Sequence, residues 1–265
     1  MSRSFWSCCL QQYPSKLSHI FGVSTVHHTS IHTTQFRLKE SPHNVKGKSV
    51  TAQKWLRRQL NDPYVKKARE ESYRCRSAFK LIEIDDKYHI LKPGHVVLDC
   101  GAAPGSWSQV AVRRVNALGD DSEALMGRVI GVDLQHMNTV PGAVILKECD
   151  VTADSTQQKI SSVLGKTKVN VFLSDMAPNA TGIKSMDHEI IMQLCYVALT
   201  FAIRVMARQA TFVCKLWQGP EQRRFEAILE QYFEQVKIIK PRASRSDSAE
   251  VFLLAKNFTP PTPKK

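Results

Sequence analysis

From residue 95 to residue 258 the sequence alternates short β-branched runs with segments of helical periodicity, and this alternation constrains the fold most. The strand-like runs begin with "HVVLDCG" (95–101), "GRVIGVDL" (127–134), "AVILKECDV" (143–151) and "VNVFLSDMA" (169–177). "TFVCKLWQG" (211–219), "QVKIIKP" (235–241) and "EVFLLAKNF" (250–258) complete the set. Between them, "SWSQVAVRRVNAL" (106–118), "STQQKISSVLG" (155–165), "DHEIIMQLCYVALTFAIRVM" (187–206) and "PEQRRFEAILEQYF" (220–233) place apolar residues at helical spacing. Repeated βα units imply a mostly parallel seven-stranded sheet with helices on both faces, an α/β fold. The last two strands are separated only by "RASRSDSA" (242–249), too short for a helical crossover, so the last strand is expected to run antiparallel.

Upstream, Asp62 to Tyr88 reads mainly as helix, closed by Lys92-Pro-Gly. The chain therefore divides into a leader (1–45), a helical segment (46–92), an α/β domain (93–258) and a short tail (259–265). Charge supports the first boundary. Residues 1–60 carry nine Lys/Arg against one acid, a net +8 of the total +13, and no acid precedes Glu40. A basic, Ser-rich, acid-poor N-terminus fits an organelle transit peptide; a basic arm touching nucleic acid is the alternative. Polar residues interrupt every apolar run there, so no secretory signal core is present. The longest uncharged run, Ile190 to Ile203, is too short for a membrane span and suits a buried helix. Seven cysteines in no CxxC or Cys/His spacing point to reduced thiols and no metal site.

In an open α/β sheet a ligand is expected outside the carboxyl ends of the strands. There, "VLDCGAAPGSWSQ" places Gly101 and Gly105 between the first strand and a helix. The G-x-x-x-G spacing, with Pro104 lacking an N–H, does not supply the amides that cradle a dinucleotide's phosphates. Asp133, Asp150 and Asp175 fall at the ends of three further strand-like runs. Carboxylates repel phosphate, bind ribose hydroxyls and favour positive charge, so a cationic nucleoside such as S-adenosyl-L-methionine suits this loop.

The set "RSAFKLIEI", "LDCGAAPGSWSQ", "GVDL", "CDVT", "LSDMAPNATG", "FVCKLWQG" and "SRSDSAEVFLLA" resembles the FtsJ/RrmJ ribosomal RNA 2′-O-ribose methyltransferases, and among them the mitochondrial members. The resemblance covers roughly residues 60–258. It implies a Rossmann-like class I methyltransferase fold and S-adenosyl-L-methionine as methyl donor. It further implies a catalytic tetrad of Lys80, Asp175, Lys215 and Glu250, and a cofactor site at Pro104, Gly105, Ser106, Trp107, Asp133, Asp150 and Asp175. Pro178, Asn179 and Gly182 would shape the substrate mouth. The implied substrate is a uridine in mitochondrial large-subunit ribosomal RNA, met in the matrix, with a pre-ribosomal particle as partner and neither DNA nor membrane insertion. An assembly factor that binds ribosomal RNA with little turnover, or a 2′-O-methyltransferase for another RNA, is the alternative.

Lys215 is the residue that local rules least expect, an ammonium inside an apolar strand. As a proton acceptor for a 2′-hydroxyl it would have to be neutral, and a second ammonium, from Lys80, would help. On this reading Lys80 and Asp175 position the hydroxyl, and Glu250 steers Lys215. Basic residues in "KWLRRQLNDPYVKKAREESYRCR" and "KPRASRSDS" flank Lys80 and Glu250 and suit contact with an RNA backbone. Two positions depart from the family pattern. "MARQAT" (206–211) replaces Pro-Gly-Gly before the lysine strand, and Ser106 stands where Gly or Ala is usual.

Overall fold

The computed structural model describes Gly47, residues 49–179 and residues 181–260; the expected leader (1–45) and the end of the tail lie outside these residues. Three helices precede the sheet: α1 (Val50–Leu60), α2 (Pro63–Glu70) and α3 (Ala78–Tyr88). Ser49 Oγ accepts from Ala52 N to start α1, while Asp62 Oδ1 accepts from Tyr64 N and Pro63 opens α2. The helical stretch expected over Asp62–Tyr88 is thus two helices. The chain breaks between Glu70 and Ala78, where Ser72 takes a left-handed φ of 60°.

The remaining elements are β1 (Val96–Cys100), α4 (Ser106–Arg114), β2 (Arg128–Val132), β3 (Ala143–Leu146), α5 (Asp154–Leu164), β4 (Val169–Ser174) and α6 (Lys184–Val205). They are followed by β5 (Met206–Trp217), α7 (Gln222–Leu229), β6 (Phe233–Ile239) and β7 (Glu250–Phe258). The seven strands form one sheet in the order β3-β2-β1-β4-β5-β7-β6. Strand β7 alone opposes its neighbours, pairing antiparallel with both β5 and β6, as the short connection requires.

Several boundaries differ from the periodicity: α7 stops at Leu229, and Phe233, expected to close that helix, opens β6. Strand β3 ends at Leu146 rather than Val151, because Glu148 turns the chain with a φ of 56°. Helix α4 ends at Arg114, and Asn116 at φ 58° leaves it. Strand β5 begins at Met206, so "MARQ" belongs to the strand, with an irregularity that shifts the register against β4 between Val169 and Val171.

Alternation along the strands decides which face each side chain joins. Leu98, Phe172, Phe212, Cys214 and Leu253 pack on the side covered by α5, α6 and α7. Val97, Val171, Val213 and Phe252 pack on the other side, under α3 and α4. Lys215 and Glu250 are in phase with this second set, so they face α3. Helix α6 is long and apolar enough by composition to cross a membrane, yet Ile191, Cys195, Ala198 and Ala202 are buried in the core. Its apolar character is accounted for by the sheet.

Candidate active site

The carboxyl ends of β1, β2 and β4 and the loop after β3 open on one crevice. The turn after β1 brings Gly101 against the tip of β4, where Asp175 N donates to Cys100 O at 3.1 Å. A Cβ on Gly101, at φ 79°, would lie 2.8 Å from Met176 N, so only glycine lets the two tips meet. Asp133, just beyond β2, fixes this loop: its Oδ2 accepts from Ala103 N at 2.8 Å and its Oδ1 from Gln135 N at 2.7 Å.

Between these tips lies a cleft of about 540 Å³, within the roughly 300–1,000 Å³ range of small-molecule sites. Asp133, Asp150 and Asp175 line it together with Gly101, Pro178 and Asn179. Leu134, Val151, Met176, Ile190 and Leu194 supply an apolar wall. Asp150 reaches the cleft from a loop four residues past β3, held by Thr152 N and Thr152 Oγ1, which both donate to its Oδ1. Carboxylates beside apolar surface fit a positively charged nucleoside, and the residues present therefore suit S-adenosyl-L-methionine. Four other expected cofactor residues do not line this cleft. Pro104 lines a neighbouring hollow with Arg74 and Gln135. Gly105 lies under the Arg74 guanidinium, where a Cβ would sit 2.6 Å from Nη1. Ser106 is buried with its Oγ 3.0 Å from Cys75 Sγ. Trp107 is buried against Phe252, ring centroids 5.6 Å apart, and donates from Nε1 to Ser77 O. These residues shape the loop from behind.

The four expected catalytic side chains converge at the edge of the same cleft, as two ion pairs. Lys215, 8% exposed, places Nζ 2.9 Å from Asp175 Oδ1 and donates its aligned hydrogen bond to the Asp175 carbonyl oxygen. Lys80 reaches across from α3 to Glu250, which is 9% exposed, with Nζ 2.7 Å from Oε1 and 2.8 Å from Oε2. Glu250 therefore grips Lys80 rather than Lys215. The register explains the pairing: Glu250 lies opposite Trp217 while Phe252 lies opposite Lys215, so Glu250 is displaced along the strand toward α3. Lys80 Nζ also stands 5.6 Å from the Phe252 ring centroid.

Two serines complete the site; both lie inside the motifs that carry the resemblance, though neither was singled out there. Ser77 Oγ donates to Asp175 Oδ2 at 2.9 Å, and Ser244 Oγ donates to Glu250 Oε1 at 2.8 Å. Burial pushes the Asp175 carboxyl up, but the ammoniums of Lys215 and Lys80 and the bonds from Lys215 and Ser77 outweigh it. The group is held below the ordinary carboxylate range. Beneath them, Asp99 is fully buried, with Ser108 Oγ donating to Oδ2 at 2.7 Å and Oδ1 unpartnered. Burial, reinforced by the charges of Asp175 and Asp133 and opposed by the Ser108 bond, pushes Asp99 up to about 7.

A second hollow of about 290 Å³ opens on the far side of the tetrad, lined by Arg76, Ser77, Lys80, Arg245, Ser248 and Glu250. Asp175 thus lines the acidic, partly apolar cleft, while the Lys80–Glu250 pair lines the hollow, whose Arg76 and Arg245 pair with Asp62. Two anchors on α6 hold the loops at the mouth. Asp187 accepts from Thr181 N and Oγ1 and from Gly182 N, fixing the loop that follows Asp175. His188 stands between Trp217 O and Glu221 N, fixing the loop that follows Lys215.

Residues 73–258 match the FtsJ-like methyltransferase family. The chain is 54% identical over 220 residues to the mitochondrial rRNA methyltransferase 2 of Drosophila melanogaster, covering 83% of this chain and 88% of that one. It is 47% identical over 223 residues to the ribosomal RNA large subunit methyltransferase E of Parvibaculum lavamentivorans, covering 83% and 87%. A crystal structure described as a ribosomal RNA methyltransferase of Plasmodium falciparum superposes with a TM-score of 0.62 at 29% identity, covering 70% of this chain and 98% of that one. With the sheet order, the crevice and this breadth of similarity in agreement, the chain belongs to the FtsJ-like methyltransferase family.

Proposed function

We propose that the protein transfers a methyl group from S-adenosyl-L-methionine to the 2′-hydroxyl of a uridine in mitochondrial large-subunit ribosomal RNA. The reaction belongs to large-subunit biogenesis in the matrix, on a pre-ribosomal particle, with residues 1–45 as the transit peptide. One observation carries the reading: two buried lysine–carboxylate pairs meet at neighbouring spaces, Asp175 lining the acidic cleft and Lys80 with Glu250 lining a second hollow that also holds Arg76 and Arg245. A cationic nucleoside suits the first space and a nucleotide of an RNA chain suits the second. The ribosomal RNA substrate is supported by the names of the Drosophila and Parvibaculum relatives, and the mitochondrial setting by the former. The 2′-hydroxyl and the uridine follow the family resemblance.

S-adenosyl-L-methionine, when bound, supplies an electrophilic methyl carbon on a sulfonium. Asp133 and Asp150 would hold its nucleoside, with Asp175 contributing negative charge at the end nearer the lysines. Lys80, fixed by both oxygens of Glu250, donates to the incoming hydroxyl oxygen and sets its line of approach. Lys215, paired as an ammonium with Asp175, gives a proton to solvent before it accepts the hydroxyl proton at Nζ, and returns that proton to solvent afterwards. Ser77 keeps Asp175 oriented throughout. Orientation contributes up to about 7–11 kcal/mol in ideal cases, and a placed base a further ~10²–10⁴-fold.

The test is methyl transfer to a ribosomal RNA fragment, with the modified position mapped by resistance of the 2′-O-methylated linkage to alkali. Lys215→Ala is expected to keep cofactor binding and to lose about 10²–10⁴-fold in turnover. Unchanged turnover would remove Lys215 from the chemistry, and a wild-type protein that binds the RNA without methylating it would leave only the assembly-factor reading.

A further inference from the structure

A third cavity, of about 310 Å³, lies at the opposite end of the sheet from the active site. It is built from the approaches to β1 and β4, the first turn of β5 and the end of β7. Its cationic or imidazole side chains are His89, Lys92, His95, Arg208 and Lys256, and no acid lines it. Lys256 Nζ donates to Tyr88 O at 3.1 Å, a neutral partner. Among the described residues no carboxylate pairs with Lys92 or Arg208.

The nearest acids are engaged elsewhere. Asp85, which acts on His95 from outside the cavity, accepts from Leu91 N and pairs with Arg114 at 3.5 Å. Glu234 accepts from Asn257 Nδ2 at 2.8 Å. His95 lines the cavity with a ring that bonds to the Ile90 backbone, while its Nδ1 is closed off from solvent without a partner, so what the cavity itself holds is unbalanced positive charge.

The backbone is also unusual here. His89, Gln209 and Asn257 all line the cavity with left-handed φ values of 49°, 60° and 61°. Gln209 lies within the irregular start of β5, in the "MARQAT" segment that departs from the family's Pro-Gly-Gly, where it lets Arg208 reach the cavity. Left-handed conformations at non-glycine residues persist where the surroundings enforce them, and they gather at binding sites.

We infer that this cavity is an anion site that takes a phosphate of the folded RNA, remote from the nucleotide being methylated. Arg208 and Lys92 supply charge-assisted donors, and His95 lines the cavity beside them. Arg208 precedes Lys215 by seven positions along β5, about 23 Å at about 3.3 Å per residue. The target nucleotide's own phosphates cannot occupy both places, so the site distinguishes a folded RNA domain from a short strand. The inference rests on the RNA-methylating reading.

The full-length chain and Arg208→Gln/Lys92→Gln, two exposed positions outside the catalytic machinery, are compared in three assays. The first is affinity for a folded large-subunit rRNA domain across salt concentrations. The variant is expected to bind about tenfold or more weakly near 0.1 M salt, with a salt slope shallower by about 1–2. The second is affinity and turnover on a short oligonucleotide bearing only the target, expected to be equal in the two proteins. The third is titration with inorganic phosphate, expected to move the His95 imidazole resonances in the wild type and not in the variant. Equal affinity for the folded domain, with or without a phosphate response at His95, overturns the assignment to RNA. A wild type that transfers no methyl group defeats the proposed function instead, while the phosphate titration still reads the cavity on its own.

Discussion

Replacing Asp99 by asparagine isolates the energetic consequence of a charge that the fold buries without a counter-ion. Asp99 is fully buried, and burial, with Asp175 and Asp133 adding to it, pushes its carboxyl from 3.8 up to about 7. Each unit corresponds to about 1.36 kcal/mol, so the ionised side chain destabilises the native state by about 4 kcal/mol above pH 7. The sign follows from proton binding. Between about pH 4 and 7 the native protein keeps a proton that the unfolded chain has released, so stability falls as pH rises through this window. Asparagine removes the titration yet keeps an oxygen to accept from Ser108 Oγ. The stability of Asp99→Asn relative to wild type should therefore rise by roughly 2–3 kcal/mol between pH 5 and pH 8. Urea unfolding at single-unit pH steps reads this directly, and a thermal melt should show a relative gain of about 5–10 °C. A constant packing offset from the amide cancels in the comparison. A difference that stays flat from pH 5 to 8 would refute the claim that Asp99 titrates near neutrality inside this core.

Two further perturbations read the shell around the lysines. Ser77→Ala removes the donor to Asp175 Oδ2 and is expected to lose about 1.5–3 kcal/mol at pH 7, a bond to a charged acceptor. Because Asp175 is held below the ordinary range, that contribution is present at neutral pH and disappears as acid protonates the carboxyl. The loss measured by urea unfolding should shrink toward low pH, and a pH-independent loss would contradict it. His188 has a carbonyl beside Nδ1 and an N–H beside Nε2, so its partners require a neutral ring with the proton on Nδ1. Nitrogen chemical shifts should report that tautomer and not the other. His188→Phe should cost roughly 1–3 kcal/mol and lower kcat more than it changes KM, because the loop after Lys215 loses its anchor.

What the sequence made legible was set by how local the determining interactions are. Strands β1, β2 and β4 are short apolar runs buried on both faces, so composition alone identifies them. The antiparallel last strand followed from loop length. Lys215 was conspicuous because it breaks an apolar run, and Asp133 and Asp175 because they end strand runs. What stayed hidden depends on contacts between distant segments. Ser77 matters only because the turn before α3 lies beside Asp175, 98 residues away in the chain. The exchange of partners, Glu250 with Lys80 and Asp175 with Lys215, needed the strand register. Trp107 and Ser106 sit in a motif associated with the cofactor, yet their side chains turn into the core, which helical phase on α4 decides and motif matching does not.

The position of Asp175 explains why a lysine tolerates burial in β5. Asp175 lines the acidic cleft, where its charge favours a cation, and it also faces the ammonium of Lys215. Removing Lys215 leaves that carboxylate without its paired ammonium and close to Asp99, whose own carboxyl its charge already pushes up. Breaking a buried pair in this way commonly destabilises by about 3–5 kcal/mol. Lys80 cannot replace the lost partner without releasing Glu250, since both of that carboxylate's oxygens hold its Nζ. The two pairs therefore form one electrostatic unit in which each lysine is fixed by its own acid. On the proposed function, a hydroxyl entering between them would meet two oriented nitrogens whose positions were set before it arrived. Such preorganisation is what a poor nucleophile needs, and it ties the folding role of Lys215 to its chemical one.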